Sequence, residues 1–245
     1  MKTFDFYEFT GVLVPGAITL VAVLLIYPHV RTTLFSSDLT VGDLGLFVVL
    51  AYAIGHLTQA VGNGIELVWW RVWEGMPTDW VRSQKHSLIA DAQRQALQTK
   101  LSSKLSLQTS IDPAMSAGAW FSITRQIYAE VAAQSRASRV DIFNGNYGLN
   151  RGIASALLVG LVLLLFVQGL VYWQIAFIIL VSAGVALYRM HRFGVRYARE
   201  LFVQFLQLPS DSGSAAATIA QSVPATPQPT PVNPPAAQTH TGLNP

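Results

Sequence analysis

The chain has 245 residues, a net charge of +3 and a mean hydropathy of +0.40. Only 12% of its residues are charged, against about 25% in an average soluble domain, which argues against an ordinary soluble protein. It has no cysteine, so a disulfide framework, a thiol nucleophile and a cysteine-based metal site are all excluded.

In chain order, the leader Met1–Glu8 carries Lys2 but also Asp5 and Glu8. The apolar run that follows is long for the core of a signal peptide and has no small-residue cleavage site after it. The run therefore predicts a retained first span, from about Thr10 to Val30, with Pro15-Gly16 near its start and Pro28 near its end. A short loop between His29 and Asp43 leads to a second span, Val41 to Val61.

Polar residues mark this second span and its end. At helical spacing, Tyr52, His56, Gln59, Asn63 and Glu66 form one stripe. Polar groups at membrane depth are costly unless they face a bundle interior or water. The stripe therefore reads in two ways. It lines or gates a pore, with His56 as a proton-sensitive element, or it makes hydrogen bonds between helices that approach closely at Gly55 and Gly62. No second ligand lies within a helical turn of His56, so a metal site is not expected.

Residues 63–152 read as a helical cytoplasmic domain. The stretch from Gly62 to Gly152 holds ten of the sixteen Lys and Arg residues, against seven acids. Its patterning predicts a helix from Trp80 to Leu107 and, after a break at Asp112-Pro113, a second from Ala114 to Phe143. Leu97, Leu101 and Leu105 form an apolar stripe on the first, and Trp120, Ile123, Ile127 and Val131 form one on the second. Asn144-Gly145-Asn146 predicts a bend before the next span. Lys85, Arg94, Lys100, Lys104, Arg125, Arg136 and Arg139 are the candidate contacts for an anionic ligand, a nucleotide or oligonucleotide. Trp80, Trp120, Phe121 and Tyr128 offer stacking surfaces. The competing reading is a solvated basic face with its aromatics in the core.

Ile153 to Tyr188 is a run of 36 residues without a charged side chain. One helix of that length would measure roughly 54 Å, whereas the hydrocarbon core is about 30 Å thick. Two spans joined by a turn at Gln168–Gln174 fit, within a segment 153–190. Residues 191–208 read as a basic amphipathic helix, and Arg189 just before it, with Arg192, Arg196 and Arg199 within it, meets anionic lipid headgroups. Residues 209–245 hold eight of the twelve prolines and one charge and predict a disordered tail.

The expected fold is thus all-α: two transmembrane helices within 1–62, the helical cytoplasmic insert, two more transmembrane helices, the basic helix and the tail. The distribution of Lys and Arg places both termini and the insert in the cytoplasm. No phosphate loop, nucleophile elbow or zinc-protease motif occurs. The sequence therefore points away from an enzyme and towards a homo-oligomeric channel, or a scaffold that recruits partners through its insert and tail. No cofactor is expected.

Three segments carry a resemblance: Phe4 to Gly11 running into Val14-Pro15-Gly16, Tyr52 to Glu66, and Phe143 to Arg151. Together they resemble small bacterial inner-membrane proteins with two spans, a cytoplasmic helical insert and two more spans. Some of these look like membrane effectors of antiphage defence. The Hailong-type effector is similar in outline. The resemblance implies an oligomeric channel gated by a nucleic-acid oligomer that a partner nucleotidyltransferase makes.

Overall fold

A computed structural model describes residues 6–35, 40–84, 86–105 and 110–209. Eight helices and no strand occur among the described residues. They are α1 (Phe6–Ile26), α2 (Pro28–Leu34), α3 (Val41–Val72), α4 (Pro77–Ser83), α5 (Asp91–Lys104), α6 (Ala117–Ala133), α7 (Ser138–Gln168) and α8 (Trp173–Leu206). Four of them, α1, α3, α7 and α8, are long and apolar enough to cross a membrane, in the number and order expected from the sequence.

Local chemistry sets the boundaries. Proline 28 lacks an N–H and disfavours helix before it, so α1 stops at Ile26, short of the expected Val30, and α2 restarts on Pro28. Thr40 caps α3: its hydroxyl accepts from the Asp43 N–H at 3.2 Å, and the Asp43 carboxylate accepts from the Thr40 N–H at 3.0 Å. The turn between α7 and α8 falls at Gly169, whose φ of +58° suits glycine. That turn lies where the sequence places it.

Four expected boundaries are corrected. Asn144-Gly145-Asn146 is no bend; it lies inside α7, which runs unbroken from Ser138. Asn146 and Asn150 donate to the carbonyls of Ile142 and Asn146, four residues back, at 2.8 and 2.7 Å, so their amides follow the helix instead of opening it. Residues 191–208 are not a separate helix but continue α8, which runs unbroken from Trp173 to Leu206. The helix expected from Trp80 to Leu107 is broken at Gln84, which takes φ +56°, and resumes at Asp91. The chain in between turns inward to bury Leu88. The helix expected from Ala114 to Phe143 ends at Ala133, and Ser135 (φ +57°) reverses the chain into α7.

Helix α1 lies against both α3 and α7, and α7 pairs with α8. Small residues set the spacing. A Cβ on Gly16 would come 1.7 Å from the Ala51 carbonyl oxygen, and one on Gly55 would come 2.2 Å from that of Val12. The backbones of α1 and α3 therefore touch, as in close helix pairs within membranes. Thr19 and Thr58 join the same pair by a hydrogen bond of 3.1 Å.

Helices α4, α5 and α6 pack on the C-terminal half of α8. Ala198, Leu201, Phe202 and Phe205 are fully buried there among Leu97, Leu101, Trp120, Ile127 and Val131. Both apolar stripes read from the sequence point into this core, except that Leu105 is only partly buried. The chain divides after Leu208, and the predicted tail lies outside the described residues from position 210 on.

Candidate functional site

Proline 15 opens the site. A proline inside a helix cannot donate to the carbonyl four residues earlier, which here belongs to Gly11. That carbonyl accepts from Gln59 Nε2 of α3 at 2.6 Å. The Gln59 Oε1 accepts in turn from Arg151 Nη2 of α7 at 3.0 Å, and Arg151 Nη1 donates to the Glu66 carboxylate in an ion pair. Arg151 and Glu66 are largely buried, their side chains 21% and 18% exposed. Tyr147 stands beside Glu66 and accepts from Trp70 Nε1 at 2.7 Å. One polar chain thus ties α1, α3 and α7 together. It passes between Gly62 and Gly152, where added methyl groups would meet Ser155, Arg151, Pro15 and Gln59.

Arg151 lies 17 residues before the end of α7, about 26 Å along the helix axis. That distance is close to the ~30 Å thickness of a hydrocarbon layer, and the ion pair sits at the end of the bundle that carries α4–α6. Two cavities flank it. The larger, about 700 Å³, is lined by Asn63, Glu66, Trp70, Arg71, Glu74 and Arg151 among others. The smaller, about 380 Å³, lies between α4, α6, α7 and α8. Nearby, His191 of α8 sits among Trp69, Trp70, Trp73 and Trp80, with ring centroids 6.2, 5.1, 4.6 and 6.1 Å away.

The polar stripe of α3 splits in two. At about 100° per residue, His56 and Asn63 fall about 40° and 20° to one side of Tyr52, whereas Gln59 and Glu66 fall about 20° and 40° to the other. Gln59 and Glu66 turn inward to Arg151. Tyr52, His56 and Asn63 are exposed, and the rings of Tyr52 and His56 pack edge to face at 4.8 Å.

The basic residues of the insert scatter. Lys100 donates to the carbonyls of Leu206, at 2.8 Å, and Leu208, which places its ammonium on the C-terminal end of α8. Burial lowers the pKa of this ammonium below the usual lysine range, and the like charges of Lys104 and Arg136 add to the effect. Arg94 donates to the Ile111 carbonyl at 2.9 Å and Arg136 to that of Gln207 at 3.4 Å. Arg139 pairs with Glu200 at 3.6 Å. Lys104 ends α5, and Lys85 lies outside the described residues. Of the seven, Arg125 shares the smaller cavity with Arg151.

The stacking candidates divide as well. Trp80 and Trp120 are core residues with their indole N–H groups bonded to backbone carbonyls. Phe121 is exposed. Tyr128 donates to Asp141 at 2.8 Å; that bond, with burial adding, pushes its phenol up to about 12.

On α8, Arg189, Arg192, Arg196 and Arg199 are exposed. The first three lie over the rings of Phe193, Tyr188 and Phe193 at 5.5–5.8 Å, and Arg199 Nε donates to the Leu88 carbonyl at 3.3 Å. No cluster of three or more His, Asp or Glu side chains suited to a metal ion occurs among the described residues.

Arg151 is the residue that sequence reading missed. It follows the expected bend at Asn144-Gly145-Asn146, where no site was assigned, and its partners lie 85 and 92 positions away. The available signal was the pairing of a lone basic residue at the start of an uncharged run with a lone acid at the end of span 2.

The fold and site define an all-helical chain with four helices able to cross a membrane and a buried Arg–Glu pair where they meet a helical insert. No protein-family model, curated protein or solved structure matches the chain.

Proposed function

We propose that this protein is a multi-pass protein of the bacterial inner membrane that assembles from several copies into an ion channel or membrane-disrupting effector responsive to an anionic ligand. One observation carries the reading. His56 and Asn63 are both exposed on α3, and His56 is 15 residues, about 22 Å, from the start of that helix. An imidazole held at that depth against lipid is costly, whereas the same group on a water-filled path is not. A single chain of four spans is too small to enclose such a path, so neighbouring copies complete it. The basic insert and the arginines of α8 support a cytoplasmic placement of both, with Arg189, Arg192 and Arg196 near anionic headgroups.

The absence of native cysteine allows a direct test. A single cysteine at position 56 in reconstituted protein is expected to react with a charged, membrane-impermeant thiol reagent at least tenfold faster than one at position 181, on the exposed face of α8. Equal, slow labelling at both positions would place His56 against lipid and contradict the proposal.

A further inference from the structure

The smaller cavity lies where the insert meets the bundle. Thr78 of α4 and Phe121 and Arg125 of α6 face Asn144, Tyr147 and Arg151 of α7 across it. Its volume of about 380 Å³ falls at the small end of the ~300–1,000 Å³ range of small-molecule sites. Arg125 is exposed and makes no hydrogen bond or ion pair among the described residues. Arg151 spends Nη1 and Nη2 on Glu66 and Gln59, but its Nε is buried without a hydrogen bond. Glu66 also lines the cavity, with its carboxylate held by Arg151 and beside Tyr147. The charged lining is therefore two guanidinium groups against one carboxylate, a net positive charge. Phe121, 63% exposed as a residue, lies at the same site.

We infer that this crevice binds a small phosphate ester carrying a planar ring, such as one nucleotide unit. Guanidinium groups match phosphate oxygens with paired N–H donors. An exposed ring beside them favours a stacked planar group, whatever its identity. A volume of about 380 Å³ suits a single small unit of this kind. A ligand seated there touches α4 and α6 on one side and α7 on the other, so its binding joins the insert to the bundle. The inference rests on the proposed response to an anion and names where that anion sits.

The test uses the full-length protein in nanodiscs, with AMP, inorganic phosphate and adenosine as probes. AMP and phosphate are expected to bind saturably, and adenosine to bind at least tenfold more weakly than AMP. Arg125→Gln should weaken AMP and phosphate at least tenfold, while tryptophan fluorescence and circular dichroism stay those of the native fold. Phe121→Ala should weaken AMP about tenfold and leave phosphate within about twofold. Unchanged AMP binding in Arg125→Gln, equal binding of AMP and adenosine, or no saturable binding of AMP or phosphate to the folded native chain would each overturn the assignment. Ion flux separates this outcome from the functional proposal. Binding as expected with no flux under any condition overturns the channel and leaves the site. Flux that AMP alters equally in native protein and Arg125→Gln overturns the site and leaves the channel.

Discussion

Replacing Arg151 by methionine is expected to cost about 3–5 kcal/mol of stability, the range seen when one partner of a buried ion pair is removed. Glu66 would be left without its ionic partner in a site where its side chain is only 18% exposed, and Gln59 Oε1 would lose the donor that orients it. The amide of Gln59 could then rotate away from the Gly11 carbonyl, which the internal proline already deprives of its helical partner. Adding Glu66→Gln to Arg151→Met should restore at least half of the loss. The remaining amide carries no charge and can still bond with Tyr147. Unfolding in detergent, followed for the two single variants and the double variant, measures both effects. A loss below about 1 kcal/mol for Arg151→Met, the range of solvent-screened surface pairs, would show that water reaches the pair freely.

Gly16→Ala is the second large effect. The added carbon would lie 1.7 Å from the Ala51 carbonyl oxygen and 2.6 Å from the Gly55 nitrogen. Both are backbone atoms of α3, so no side-chain rotation can relieve the clash, and α1 must move away from α3. Overpacking ordinarily costs about 1–3 kcal/mol, and a backbone clash belongs at or above the top of that range. Gly11→Ala is the internal control: it lies in the same helix with nothing within 4 Å of the new carbon. There the better helix propensity of alanine should stabilise by up to about 1 kcal/mol. Opposite signs for the two substitutions in the same unfolding assay are the expected result. Two neutral outcomes would mean that α1 and α3 do not touch.

The long apolar runs made four helices legible in the sequence, because length and lack of charge are properties of a single segment. The turn at Gly169 was legible because one helix could not span 36 uncharged residues. Contacts of Gly55 and Gly62 followed from their size. Elsewhere, partners distant in sequence decide. Asn144-Gly145-Asn146 reads as a bend, yet α7 stays helical there while Tyr147 and Gly152 pack against Trp70 and Pro15. The second half of α8 carries three arginines and so resembles a surface helix, yet its opposite face, from Ala198 to Phe205, forms the centre of the insert's core. Lys100 looked like a ligand contact because its charge is visible in the sequence, whereas the end of α8 that it caps is 106 residues away. The stripe on α3 was legible as a stripe. Its division into an inward pair and an outward trio depends on which neighbour fills each side.

Ion flux through reconstituted liposomes tests the central claim most directly. The native protein, supplied with AMP or a short single-stranded oligonucleotide on the side of the insert, should conduct at least tenfold above protein-free vesicles. The folded double variant His56→Leu, Asn63→Leu should lose that conductance, because its α3 face no longer offers water a polar path. Flux that persists unchanged in the double variant, or native protein that conducts under no condition, would contradict the account.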